Sequence, residues 1–321
     1  MAFHTIEAKV FGFKAEAARG VSEAAPDKFL ATGADANLDA NHVPIEDNKI
    51  RGSKLRFESQ PGVKGVIGSV PDVHVEAMTI GPLLKGVLGS VVSTQPDNIG
   101  APTVWQHVVT RSDNPQLPSS TFFMDRGLGK KRYPLGIWKK LSFAGPTEGP
   151  VTVSADVLAQ KEEVAPTIAP SFDSPKPFLF HQTDFKVNGV ADLDVRSWAL
   201  DIDNNASFLR TFNQSQDPRD IVSRGKFNIE GSFEVYFTTE ANRAAFLANT
   251  AAALQIVLTG ATITGAHKFK LTLDIPGARY LEYPYANLDE LLGAEVKFRA
   301  ERDAVAGYEL QATLVNTLAA I

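Results

Sequence analysis

The sequence predicts a mainly β protein made of two tandem β-sandwich or β-barrel units, each with one short helix packed on a sheet. Three observations carry this. In the run Lys226–Phe237, Phe227, Ile229, Gly231, Phe233, Val235 and Phe237 share one face, and Lys226, Asn228, Glu230, Ser232, Glu234 and Tyr236 the other. That period of two is a long strand with one buried face. The stretch Val66–Gly89 echoes it: Gly68-Ser69 matches Gly231-Ser232, and a strand again runs into a helix. Finally, Val151–Val157 and Tyr308–Leu314 lie at similar distances beyond the two glycines, as closing strands of two copies. Several short strands per helix favour sandwich-like units over a parallel α/β sheet.

Residues 1–49 read as an arm and a long loop. Val10, Phe11 and Phe13 suit an edge strand and Ala15–Ala18 a helical turn, whereas Asp27–Asn48 is polar and without period. The first domain spans 50–160. Lys54–Phe57 opens its sheet and Val66–Val75 continues it, with Pro71 marking a bulge because proline cannot donate to a ladder. A helix follows, with Pro82 in its first turn and Ile80, Leu83, Leu84, Val87 and Leu88 as a buried stripe. Ser93–Ser119 reads as a long loop that holds a strand at Val104–Val109. Thr121–Met124 and Leu135–Phe143 flank a basic turn, and Val151–Val157 closes the unit.

Residues 161–177 carry four prolines and little apolar periodicity, as a linker does. The second domain spans 178–321. Phe178–Val187 and Val195–Ile202 pair across Asn188-Gly189, a strong hairpin signal. Asn205–Ser223 reads as a loop. After the organising strand, Thr238 or Thr239 caps a helix whose stripe includes Phe246 and Leu247. Alternation then marks strands at Leu254–Leu258, Phe269–Ile275, Val296–Ala300 and Tyr308–Leu314, with a helical turn at Asn287–Leu292.

Composition narrows the function. The chain has 321 residues, 44% apolar and 21% charged, as globular proteins do. A net charge of −5 leaves no basic excess for tight DNA binding, though an acidic wall would let DNA slide past. Cysteine is absent, which excludes disulfides and thiolate chemistry and suits a reducing cytoplasm. No apolar run is long enough to span a membrane, and no secretory signal opens the chain.

Chemical motifs are weak. Asp35, Asn37, Asp39 and Glu46 have calcium-loop spacing, but Ala40 stands where glycine is needed and no amphipathic helices flank them. Gly127, Gly129 and Lys130 lack the first glycine and the Ser or Thr of a phosphate loop. None of the six histidines has metal-ligand spacing, and no GxSxG elbow occurs. Neither a cofactor nor a metal is expected, nor an enzyme. Trp105, Trp138 and Trp198 read as core or interface anchors; a surface β-sandwich that binds carbohydrate through them is the alternative.

The segments IRGSKLRF (50–57), VIGSVPDVHVE (66–76), GPLLKGVLGS (81–90), WALDIDNN (198–205), GKFNIEGSFEVYF (225–237) and TEANRAAFLANT (239–250), in this order, resemble the major tail tube proteins of long-tailed bacteriophages. The resemblance implies a structural virion protein whose units join edge to edge into a ring, with neighbouring strands completing an inner barrel. Rings would stack into a hollow tube around a tape-measure protein, between tail-terminator and tail-tip proteins, and viral DNA would pass through the lumen into the host. A two-unit chain would close a ring of three with pseudo-sixfold symmetry. Assembly in the host cytoplasm and a flexible, sheathless tail are implied too. On this reading the arm and the loop bearing Asp35, Asn37, Asp39 and Glu46 reach the next ring, so that a chain lacking 1–48 still folds. Glu230 and Glu234 face the lumen, and Gly231→Val crowds the covering helix.

Overall fold

The computed structural model describes residues 9–49, 55–127, 129–166, 168–172, 176–238 and 240–321. The chain is mainly β and its sheets do not close into a barrel. The first half runs β1 (Val10–Ala15), β2 (Lys28–Leu30), β3 (Asn37–Ile45), β4 (Gln60–His74) and α1 (Ile80–Leu88). It continues with β5 (Gly89–Thr94), β6 (Trp105–Arg111), β7 (Ser120–Asp125), β8 (Lys130–Gly145), β9 (Thr152–Ala159) and β10 (Glu163–Val164). The second half runs β11 (Thr183–Val187), β12 (Val190–Ala191), β13 (Val195–Asp203), β14 (Ala206–Leu209), β15 (Asp220–Ser223), β16 (Asn228–Tyr236) and α2 (Ala241–Leu247). It ends with β17 (Ala252–Thr264), β18 (His267–Glu282), β19 (Tyr285–Leu288), β20 (Leu291–Ala300) and β21 (Gln311–Asn316).

The two halves are repeats, and the strand pairings prove it. Each antiparallel pair β1–β2, β1–β7, β7–β8, β8–β9, β4–β9, β3–β4 and β8–β10 has a counterpart. The counterparts are β11–β12, β11–β17, β17–β18, β18–β20, β16–β20, β13–β16 and β18–β21. The register agrees residue by residue. Gly68 lies opposite Val157, which lies opposite Trp138; Gly231 lies opposite Phe298, which lies opposite Tyr280. A bulge follows at once in both, between Trp138 and Lys140 and between Tyr280 and Glu282. The hairpin β5–β6 is special to the first repeat, and β14–β15 to the second.

Three sheets result. The longest sheet has the order β3-β4-β9-β8-β13-β16-β20, with β18 and its continuation β19 beyond β20. A second sheet runs β2-β1-β7-β8-β10, and a third β12-β11-β17-β18-β21-β6-β5. Strands β8 and β18, of 16 residues each, bend from one sheet into the next. Two ladders therefore join the halves, β8–β13 and β6–β21, and one apolar core runs through both, from Phe11 to Leu314.

Several sequence expectations are corrected here. Residues 9–49 are not an arm and a loop: β1, β2 and β3 are integral strands, and Phe11, Phe13 and Leu30 are buried in the core. A chain without 1–48 would lose those side chains, so it is not expected to fold. Leu55–Phe57 is irregular rather than a strand, and Asn205–Ser223 holds a hairpin rather than a loop. Asn287–Leu292 is a hairpin turn, with Asp289 and Glu290 both at positive φ, not a helical turn. The counterpart of β9 is β20, not the last strand, since β20 is the one that pairs with β16. Thr239, residues 1–8 and residues 50–54 lie outside the described residues.

The helices differ. In α1, Ile80, Leu83, Leu84, Val87 and Leu88 are buried as expected, each side chain contributing roughly 1.5–3 kcal/mol gross. Gly89 ends α1 at positive φ. In α2, Phe246 stacks on Tyr283 at the core margin, but Leu247 is 67% exposed and belongs to no core stripe. Among the described residues no side chain caps α2; Thr238 Oγ1 donates instead to Asp194, at 2.5 Å. A Cβ at Gly231 would meet the Phe298 ring and the Ala199 carbonyl, so crowding there falls on the sheet rather than on the helix.

Candidate functional site

The long sheet has one face on the core; the other meets solvent except where the β14–β15 hairpin lies over Gly65 and Leu158. On strands β13, β16 and β20 alternation sends Leu200, Ile202, Ile229, Phe233, Val296 and Phe298 inward. It sends Asp201, Asp203, Glu230, Glu234, Glu295, Lys297 and Arg299 outward. Cross-strand register builds a row from these: Ser142, Asp201, Glu230 and Arg299 lie side by side, as do Ser197, Glu234 and Glu295. Asp39 and Asp156 extend the same face across the first repeat. Its cations are paired: Lys140 with Asp201 at 2.9 Å, Lys297 with Glu282 at 2.8 Å, and Arg299 with Glu301 at 3.0 Å. The face is thus polar and acidic, which repels a polyanion instead of holding it. Glu230 and Glu234 sit at its centre, and Ser197 Oγ donates to Glu234 at 2.9 Å.

Among the described residues the same sheet ends in two unpaired edges. There, strand β3 pairs only with β4, and β19 only with β20. The β3 edge is guarded. Arg126 Nη2 donates to the Leu38 carbonyl at 2.7 Å and to Asn37 Oδ1 at 2.6 Å, with the Asp39 carboxylate 3.8 Å away. Tyr133 Oη also lies 3.3 Å from the Leu38 carbonyl; burial pushes its pKa up to about 12, so it stays a donor. The β19 edge is bare. Tyr285 is 51% exposed, and Leu291 and Leu292 beside it are exposed too.

Inside the chain the equivalent edges are joined. In β8–β13, Gly145, Phe143 and Leu141 face Trp198, Leu200 and Ile202. Buried Asn204 seals this joint, donating to the Trp138 carbonyl at 2.7 Å and the Val87 carbonyl at 3.4 Å. The other joint, β6–β21, is sealed by buried His107. Its Nε2 lies 3.1 Å from Asn316 Oδ1 and 3.0 Å from the Leu318 carbonyl, and its Nδ1 lies 2.7 Å from Ser93 Oγ. Asn316 Nδ2 donates in turn to the Ala77 carbonyl at 2.9 Å.

The four residues with calcium-loop spacing do not converge. Asn37 to Ile45 is one extended strand, so it separates Asp35 from Glu46 by about 30 Å. Asn37 and Asp39 take the Arg126 guanidinium as their cation. Among the described residues no group of acidic or histidine side chains is arranged to hold a metal, and no helix is long and apolar enough to cross a membrane. Trp138 and Trp198 are buried, which removes them from any sugar platform. Arg126, Asn204 and His107 had no signal in the sequence, because the contacts that define their roles reach partners 66 to 211 residues away.

Compared with known proteins, a family model described as phage tail tube protein matches residues 8–300. No curated protein matches the chain.

Proposed function

The chain belongs to the phage tail tube proteins, and from that premise we propose that it builds the tube as stacked rings of three chains, open for DNA. Membership alone makes it a structural, self-assembling component of the virion tail. The finer reading is supported by one observation above others. The chain already joins two repeats edge to edge through β8–β13, and among the described residues it leaves the same two edges, β3 and β19, unpaired at its ends. Unpaired edges invite strand addition. A head-to-tail contact of this kind closes into a ring when the rotation per copy fits, and three chains give six repeats.

In such a ring the acidic face carrying Glu230 and Glu234 lines the lumen, where weak repulsion of phosphate lets DNA move. The tape-measure protein fills the lumen before DNA does, and terminator and tip proteins cap the two ends. The tube needs no cofactor and performs no chemistry. A sheathless tail and assembly in the host cytoplasm complete the reading.

Native mass spectrometry of the purified chain, followed by negative-stain imaging, tests it. Three-chain rings and hollow tubes with six repeats per layer are expected. Rings of six chains would overturn the trimer, and a protein that stays monomeric under all polymerising conditions would overturn the assembly.

A further inference from the structure

The joint inside the chain also specifies the joint between chains. Resting on the ring reading above, we infer that β3 of one copy pairs with β19 of the next in the register that β13 keeps with β8, and that Arg126 holds the β3 edge closed until then.

The register follows from the repeat. Leu38 and Leu200 are equivalent, because they lie opposite Gly68 and Gly231. Phe143 and Tyr285 are equivalent, because they lie opposite Val153 and Ala294, each four positions along its strand from Val157 and Phe298. Leu200 lies opposite Phe143 within the chain. Tyr285 of one copy therefore lies opposite Leu38 of the next, Ala286 opposite Asn37, and Pro284 opposite Asp39.

Hydrogen-bond parity supports this register independently. The Leu38 carbonyl points to the free edge, since Arg126 reaches it there. The Pro284 carbonyl points the other way, accepting from Glu295 N–H of β20 at 3.3 Å. Tyr285 therefore turns its own N–H and carbonyl to the free edge, where Leu38 offers the matching pair. The proline lacks an N–H only on the side already facing β20, so it costs the new ladder nothing. A slip by one residue would set Leu38 against Pro284 or Ala286, whose polar groups face β20, and leave Leu38 without a ladder partner.

Arg126 occupies the carbonyl that the Tyr285 N–H must take. A charged donor parked on an edge blocks strand addition until a competing strand displaces it. Leu200 has no such guard, because its edge is never free. Arg126 is thus a device for keeping single chains apart, released by the arriving β19.

Designed disulfides test the register without background, because the chain contains no cysteine. Asn37 and Ala286 fall at a non-hydrogen-bonded position, with Cα atoms about 4.5 Å apart, within disulfide range. The variant Asn37→Cys/Ala286→Cys is expected to cross-link between chains into a covalent ring on mild oxidation. Ala144→Cys/Ala199→Cys, the equivalent pair inside the chain, serves as the positive control. Asp39→Cys/Ala286→Cys, one pleat out of register, is expected to cross-link at least about tenfold more slowly, as its Cα atoms would stand beyond reach. Rings that form without the first cross-link, or that form the last as readily, would overturn the register and leave the ring standing. Wild-type chains that never assemble would remove both. Arg126→Ala is expected to shorten the lag of assembly about tenfold, the equivalent of one charged hydrogen bond no longer broken beforehand. A longer lag would show that Arg126 organises the edge and does not guard it.

Discussion

Trp138 and Tyr280 stand at the same point of the two repeats, each on the core side of its strand and one step before a bulge. Both are buried, and neither Trp138 Nε1 nor Tyr280 Oη has a hydrogen-bond partner among the described residues. The surroundings differ. Phe11, Phe13 and Phe122 meet the Trp138 ring edge to face, at 6.2, 5.2 and 4.9 Å. Around Tyr280 the second repeat has no equivalent of β2's Phe29 and Leu30, only Val190 and Ala191, and a cavity of ≈ 650 Å³ opens beside α2.

Removing the Tyr280 hydroxyl should therefore be harmless. An unpaired buried hydroxyl costs about 1–3 kcal/mol, so Tyr280→Phe is expected to leave stability unchanged or raise it. Trp138→Phe, by contrast, empties a packed site and should lose stability. Urea melts of the two variants compare them directly. A destabilised Tyr280→Phe would mean that the hydroxyl has a partner.

Gly86 sets helix propensity against packing. Alanine is favoured over glycine inside a helix by about 1 kcal/mol, so propensity alone predicts that Gly86→Ala stabilises α1. A Cβ at Gly86, however, would overlap the Trp138 ring, which is hemmed in by three phenylalanines and cannot withdraw. Overpacking of that kind costs about 1–3 kcal/mol, and the net change is expected to be a loss. A rise in denaturation midpoint would show that the ring yields.

The hairpin β14–β15 should loosen in acid. It crosses to the first repeat, where Ala206, Ile221 and Phe208 pack on Leu135, Ile137 and Leu158. An ion pair there joins Arg19 Nη2 to Asp220 at 2.7 Å, with Arg19 Nε at 3.0 Å from the same oxygen. Burial alone would push the Asp220 carboxyl up, but Arg19, the Ile221 N–H and Gln116 outweigh it and hold the carboxyl below its ordinary value of 3.8. A carboxyl depressed by folding stabilises the fold above its unfolded pKa, and the contribution fades as pH falls through the folded value. Hydrogen-exchange protection of 206–223, taken relative to the intrinsic exchange rate at each pH, is therefore expected to be flat above about pH 4 and to fall below it. Asp220→Asn should remove the pH dependence and leave the hairpin loosened throughout.

How much of this was legible depended on whether a strand buries one face. Strand β16 alternates because Ile229, Phe233 and Val235 meet the core while Glu230 and Glu234 meet water, and α1 shows its stripe for the same reason. Pro71 marked a real bulge: the register slips between Val70 and Val73, with Asp72 at positive φ. Strand β3 was missed since it is an edge strand with most of its residues exposed, so NLDANHVPI has no apolar period to read. The turn at Asp289-Glu290 was missed because two acidic residues at positive φ carry no glycine signal. The acidic face was half legible. Glu230 and Glu234 stood out on one strand, but their neighbours Asp201, Arg299 and Glu295 come from strands whose register only the fold supplies.

Truncation now reads opposite to the sequence expectation. Phe11 and Phe13 are buried against Trp138, and β1 pairs along its whole length with β7. Losing either phenylalanine alone should cost about 3–5 kcal/mol. A chain lacking 1–48 is expected to be insoluble or unfolded by circular dichroism. A folded, soluble product that merely fails to polymerise would restore the view of this segment as an arm.

The lumen reading is tested by reversing charge where it matters least for folding. Glu230 is exposed on β16, between Asp201 and Arg299, so Glu230→Lys should leave the fold intact. With Glu234→Lys it turns the centre of the acidic face basic, and every copy around and along a tube would repeat the change. Lysines on the path bind phosphate and release counterions, and the drag they add falls steeply as salt rises. Virions with the double variant are expected to assemble tails of normal length yet to release DNA more slowly, with the defect relieved by added salt. Release at the normal rate at low salt would put this face somewhere other than the channel, whereas tails that fail to form would show that Glu230 and Glu234 take part in a contact between chains.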